Sequence, residues 1–142
     1  MPTPVSECLY CSHLPILDEL MIKIADLQVS QLFLFKEQSH PGRCNVVYNH
    51  HGVELYELEA DEREKFMQDV VTAAKAIQQS YNPAKINYGA FSDKLSHLHF
   101  HLVPKYVDGY NYGGVIEMNP QKTYLTEEEY REMAEKISSN LR

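Results

Sequence analysis

The sequence predicts an α+β domain with a mainly antiparallel sheet of about five strands and two main helices. Three observations carry that expectation. Segments rich in β-formers come first, helical periodicity sets in only after them, and strands do not alternate regularly with helices as a parallel doubly wound fold requires. At 142 residues the chain has the length of one domain, read as residues 1–142. A chain this long buries roughly two thirds of its unfolded surface, so any metal has to be argued from its ligands rather than from a need for staples.

Met21-Ile22-Lys23-Ile24, Val29 to Phe35 and Arg43 to Tyr48 are β-rich, and Ser39-His40-Pro41-Gly42 interrupts them, which predicts an antiparallel meander. From Asp61 the period changes: Phe66, Val70, Ala73 or Ala74, and Ile77 recur at helical spacing. Asp61 and Glu64 supply a capping pair for that helix, and Asn82-Pro83 ends it. Ile86 to Phe91 predicts a further strand and Ser92-Asp93-Lys94 its turn, leading into the strictly alternating run His97 to Pro104, which Pro104 closes. Tyr106 to Gln121 holds three Gly, two Asn and one Pro, the composition of a long loop. Thr126 and Glu129 form a second capping box, and Tyr130, Met133, Ala134, Ile137 and Leu141 mark the apolar face of a terminal helix.

Lys and Arg number 13 against 20 Asp and Glu, a formal net charge of −7, and no basic cluster offsets it. That balance argues against a nucleic-acid polymer as partner, because such affinity comes from neutralising many phosphates. Apolar runs such as Leu32 to Phe35 fall far short of the ~18 residues a membrane span needs. Met1-Pro2-Thr3-Pro4 has no basic flank and the first Lys or Arg is Lys23, so the expectation is a cytoplasmic protein without an export signal. In that compartment Cys8, Cys11 and Cys44 are reduced, and Cys8-x-x-Cys11 is metal-like or redox-like. Cys44, inside a strand, has the character of a small core residue.

The run His97-Leu98-His99-Phe100-His101-Leu102-Val103 carries the strongest chemical signal. On a strand, side chains alternate, so three imidazoles about 6.6 Å apart share one face while Leu98, Phe100 and Leu102 anchor the other. Two chemistries want such a row: a metal, which takes neutral imidazole nitrogen, or a phosphate chain, which needs donors along its oxygens and a nucleophile at phosphorus. One ion is poorly matched to rings attached over about 13 Å of straight strand, which favours phosphate. His99, flanked on both sides, is the best-placed nucleophile, since imidazole with a pKa of about 6.5 keeps a lone pair at neutral pH.

This motif resembles the His-φ-His-φ-His-φ-φ signature of the histidine triad family of nucleotide hydrolases and transferases. The resemblance extends over Gly42 to His51, the helix after Asp61, and Asn87-x-Gly89, covering roughly Cys8 to Tyr106 as core and leaving 107–142 as a loop and helix. It implies that His99 attacks the α-phosphorus of a nucleotide to form a nucleotidyl-imidazole, with His97, His101 and Asn87 contacting substrate. It implies a nucleoside phosphoramidate, nucleotide ester or dinucleoside polyphosphate as substrate, no metal at phosphorus, and a homodimer. Some histidine triad proteins and the related hexose-phosphate uridylyltransferases bind a structural zinc through a Cys pair, a His after the third strand and the first triad His. By that likeness the ligands here are Cys8, Cys11, His51 and His97, with His50 competing with His51.

The chain also departs from the family pattern. An amide common before the triad is replaced by Ser92-Asp93-Lys94, and a short Glu37 to Gly42 hairpin obscures which acidic residue would hold ribose hydroxyls, Glu37 being a candidate and a solvated turn its alternative reading. Tyr112-Gly113-Gly114 is a candidate to close over substrate, although a Gly pair is far more often a turn. Hydrolase, nucleotidyltransferase or phosphorylase, and non-catalytic nucleotide-binding module share the same residues. A redox or hydrolytic metal centre on the His row needs an open coordination position besides.

Overall fold

The computed structural model describes residues 4–94 and 96–142. A short helix α1 (Pro15–Leu20) leads into strands β1 (Met21–Asp26), β2 (Ser30–Phe35) and β3 (Cys44–Tyr48). Helix α2 (Ala60–Tyr81), the hairpin strands β4 (Lys85–Gly89) and β5 (His99–Lys105), and helix α3 (Glu127–Ser139) complete the chain. The five strands form one sheet in the order β1-β2-β3-β5-β4, each pair antiparallel. The α+β class and the strand count are as the sequence predicts.

Alternation along the strands divides the sheet into two faces. Leu32, Leu34, Cys44, Val46, Ile86 and Leu102 point to one side, where Phe66, Val70, Ala73 and Ile77 of α2 and Tyr130 and Ile137 of α3 close the main core. Met21, Phe33, Phe35 and Val47 point to the other side and pack with Leu17 of α1. Register places Asn45 beside His101 and Val47 beside His99 on this second face. Cys44 is fully buried in the main core, as its strand position suggested.

Several boundaries differ from the sequence reading. Helix α1 has six residues, too short to show periodicity; Pro15 starts it, its missing N–H costing nothing in a first turn. The N-cap of α2 is Glu59 without a side-chain bond, so Asp61 is not a cap; with Glu62 it places negative charge against the helix dipole. Asn82 then ends α2 in the left-handed region (φ 48°), one residue before Pro83. Strand β4 stops at Gly89 rather than Phe91, because Phe91 folds back over it: a Cβ on Gly89 would lie 2.5 Å from the Phe91 ring. Strand β5 starts at His99, leaving His97 in the bend before it, and continues past Pro104 to Lys105. The terminal helix keeps its predicted capping box between Thr126 and Glu129.

The long segment between β5 and α3 is fastened at both ends by buried charges. Lys105 donates to the carbonyls of Asn111 and Gly114, each at 2.8 Å. Glu37, 2% exposed, accepts from the backbone N–H of Lys122 (2.7 Å), Thr123 (2.9 Å) and Ser39 (2.9 Å) and from the Ser39 hydroxyl. The ribose role considered for Glu37 is therefore corrected: its Oε1 is taken by the Ser39 N–H and its Oε2 by the Ser39 hydroxyl and the loop N–H groups of Lys122 and Thr123. Tyr112-Gly113-Gly114 belongs to the Lys105 anchor, and the loop residues that reach the His row are Met118 and Asn119.

Candidate active site

His99 is buried on β5. Its Nδ1 lies 2.7 Å from the His97 carbonyl and 3.2 Å from Ser92 Oγ. A ring nitrogen facing a carbonyl must carry the proton, so Nδ1–H donates and Nε2 keeps its lone pair. That Nε2 stands 3.1 Å from Nε2 of His101. Ser92 also donates to the His97 carbonyl (3.2 Å), and it does so from a left-handed backbone (φ 62°) that non-glycine residues rarely adopt.

His101 is paired in register with Asn45 and has the Phe91 ring tilted beside it at 6.1 Å between ring centres. Its Nδ1 lies 3.3 Å from Nη2 of Arg43, a fully buried guanidinium stacked 4.1 Å over the Phe35 ring. Nε and Nη1 of Arg43 and Oδ1 of Asn45 are buried without a hydrogen-bond partner among the described residues. Burial lowers the proton affinity of His97, His99 and His101; for His101 the neighbouring His99 and Arg43 add to it and bring the pKa down to about 3. The row is therefore uncharged at neutral pH, as nucleophilic attack requires.

His99 and His101 form the floor of a cavity of about 560 Å³. Leu9, Leu20, Met21 and Phe35 make an apolar wall suited to a flat ring, while Ser92, Asp93, Lys94 and Asn119 supply polar groups. Tyr10 spans the row, its ring centre 5.2 Å from that of His97 and 5.5 Å from that of His99. Asn87 is not brought to this cavity: it lies in an adjoining one with Phe91 and Ile116, one row beyond Gly89. Arg43 and Asn45 escaped the sequence reading although they left a signal, two polar residues at i and i+2, the first immediately before β3 and the second inside that otherwise apolar buried strand.

His97 turns away from the cavity. Its Nε2 donates to the Tyr48 carbonyl at 2.8 Å, which leaves the lone pair on Nδ1. That atom is 3.3 Å from Cys8 Sγ and 3.4 Å from Cys11 Sγ, and Cys11 Sγ is 3.3 Å from His51 Nδ1. The four donor atoms lie within 4.8 Å of one another. Bonds of 2.3 Å to sulfur and about 2.0 Å to nitrogen, in a tetrahedron, imply about 3.5 Å between S and N, so this donor set fits zinc. His50 is outside the group, edge-on to the Tyr48 ring.

A neutral imidazole row on one face of a five-stranded antiparallel sheet, with a Cys-His cluster behind it, is the arrangement of a histidine triad protein. The HIT domain family model matches residues 22–108, and the chain belongs to that family. It is 26% identical over 136 residues to adenosine 5'-monophosphoramidase hnt1 of Schizosaccharomyces pombe, covering 95% of this chain and 98% of that protein. The crystal structure of histidine triad protein blr8122 from Bradyrhizobium japonicum superposes with a TM-score of 0.82 at 18% identity, covering 91% of this chain and 96% of that one. A Zn-bound histidine triad family protein from Mycobacterium smegmatis shares the fold at a TM-score of 0.66 and 14% identity, covering 97% of this chain and 95% of the other.

Proposed function

We propose that this HIT protein hydrolyses a nucleoside phosphoramidate, nucleotide ester or dinucleoside polyphosphate through a covalent nucleotidyl-His99 intermediate. The observation that carries this reading is the orientation of His99: its Nδ1–H is held by the His97 carbonyl and its Nε2 lone pair stands beside His101 in the cavity. The likeness to an adenosine 5'-monophosphoramidase favours a phosphoramidate among the three.

With a phosphoramidate, the His99 Nε2 lone pair forms a bond to the α-phosphorus while the P–N bond breaks, and the leaving nitrogen, protonated in the zwitterionic substrate, departs as a neutral amine. Water then bonds to phosphorus as the P–Nε2 bond breaks; one of its protons stays on the phosphate of the nucleoside monophosphate, the other goes to solvent, and neutral His99 is restored. Two displacements at an activated phosphorus replace one poor attack by water. His101, 3.1 Å from the attacking atom, is within reach of an oxygen on the same phosphorus.

Cys8, Cys11, His51 and His97 are the residues proposed to hold a structural zinc. Bound there, the ion would tie the N-terminal segment to the bend that presents the His97 carbonyl. The likeness to a Zn-bound family protein supports this reading. Homodimerisation through the open edge of β4 and the outer side of α2 completes it, where Val71 and Tyr88 are exposed around a shallow apolar hollow. A reduced Cys pair fits the cytoplasm.

The test is a turnover of adenosine phosphoramidate stopped in alkaline denaturant, since phosphorus–imidazole bonds are acid-labile, followed by peptide mass spectrometry. A nucleotidyl adduct on His99 is expected, and His99→Ala is expected to lose on the order of 10⁴-fold or more in kcat while remaining folded. An adduct that never forms, together with full activity of His99→Ala, rejects the reading.

A further inference from the structure

We infer that Arg43 is a positioning residue that holds His101 in the Nε2–H tautomer and so makes it a fixed hydrogen-bond donor at the reacting phosphorus. The inference rests on the hydrolase reading above for its consequence, but the tautomer itself does not depend on that reading.

A guanidinium has five N–H donors and no acceptor. With Nη2 of Arg43 3.3 Å from Nδ1 of His101, the only attractive arrangement has that Nδ1 deprotonated and accepting. The ring proton of neutral His101 is then on Nε2. His99 is constrained independently: the His97 carbonyl takes its Nδ1–H, so its Nε2 is an acceptor. The 3.1 Å contact between the two Nε2 atoms is thereby satisfied in one sense only, from His101 to His99. Reversing the His101 tautomer would point two N–H groups at each other on the Arg43 side and two lone pairs at each other on the His99 side.

Arg43 itself is well suited to this task. It is fully buried with no carboxylate among the described residues hydrogen-bonded to it, the Glu37 charge acting on it only from beyond hydrogen-bond reach, and it is held instead by the Phe35 ring and touched by Met118 Sδ at 3.9 Å. A buried cation without an ion pair is costly, and a residue kept there at that cost needs a reason beyond packing. When substrate enters and the His99 lone pair bonds to phosphorus, the His101 N–H is released onto a phosphoryl oxygen. Arg43 thus makes His101 a neutral donor that stabilises charge, not a proton source.

The experiment is nitrogen NMR of protein labelled at its imidazoles, with His101 assigned by the loss of its signals in His101→Asn. In the unaltered protein the proton is expected on Nε2 of His101. In Arg43→Met, which keeps a long unbranched chain without donors, His101 is expected to shift toward the Nδ1–H form, with kcat about 10²-fold lower and KM nearly unchanged. Arg43→Lys, which restores a cationic donor, is expected to recover part of both. A proton on Nδ1 of His101 in the unaltered protein overturns the inference, as does an Arg43→Met protein with unchanged tautomer and rate. Should Arg43→Met not fold, the spectrum of the unaltered protein decides alone. A correct tautomer with no adduct on His99 would instead reject the hydrolase mechanism and leave the orientation by Arg43 standing.

Discussion

Ser92 pairs strain with contact on a single residue. Its left-handed backbone costs of order 1 kcal/mol for a residue with a Cβ, and from there its hydroxyl meets both the His97 carbonyl and His99 Nδ1. Ser92→Gly should therefore leave thermal stability unchanged or higher while lowering kcat about tenfold, as the nucleophile His99 loses one of its two restraints. Melting curves and steady-state kinetics on the same preparation check the split. The buried imidazoles set a second residue-scale expectation. His40 and His101 both bind protons less readily than free imidazole, chiefly through burial. Below the ordinary value of about 6.5 the unfolded chain takes up protons that the folded chain refuses, so stability must fall as pH drops from 6.5 toward the depressed pKa of each group, which for His101 is about 3, by up to about 1.4 kcal/mol per pH unit for His101. Urea midpoints at pH 7 and pH 5.5 should show that loss.

Among the elements, the segment between β5 and α3 carries Met118 and Asn119 to the cavity wall, so its anchors bear on substrate. Burial raises the pKa of Glu37, but the N–H groups of Thr123, Ser39 and Lys122 and the Ser39 hydroxyl outweigh it, and the carboxyl ends below its ordinary value. Glu37→Gln keeps the shape and weakens those bonds, one of its donors being turned against backbone N–H. A loss of roughly 1–3 kcal/mol is expected, with a higher KM and faster proteolytic nicking within residues 106–126. Unchanged cleavage would show that Lys105 suffices to hold the loop. The anchors also show where sequence reading stops. Alternating His and apolar residues expose β5 and the capping box exposes α3, because both patterns are local. The roles of Glu37, Lys105 and Asn87 depend on contacts with residues up to 86 positions away, which no periodicity encodes.

For the whole molecule, the Cys8, Cys11, His51 and His97 cluster joins the N-terminal segment, the loop after β3 and the bend before β5. Chelation of the purified protein should remove one zinc per chain by elemental analysis and lower the melting temperature by about 5–10 °C, with Cys11, the exposed thiol, becoming reactive first. A protein isolated without zinc that gains no stability on its addition would contradict this. The pair was visible as Cys-x-x-Cys and the triad as alternation, so the chemistry of the site was legible before the fold. The separation of the three imidazoles into a His97 facing the Cys pair and a cavity-facing His99 and His101 was legible only in part: His97 is expected on both the substrate and the metal side, and alternation on a straight strand hides the bend that turns it from the cavity. Arg43 shows the same limit: the sequence predicts it at the start of a strand that begins one residue later, and its contact with His101 leaves no local pattern.

The strand order β1-β2-β3-β5-β4 has a consequence for how the protein is made. A ribosome delivers the first meander early, yet β3 has no neighbour on its second side until β5 emerges some fifty residues later. Until then the nascent chain holds an open apolar ribbon and no nucleophile. Activity and a closed sheet must therefore arise together in the same late event.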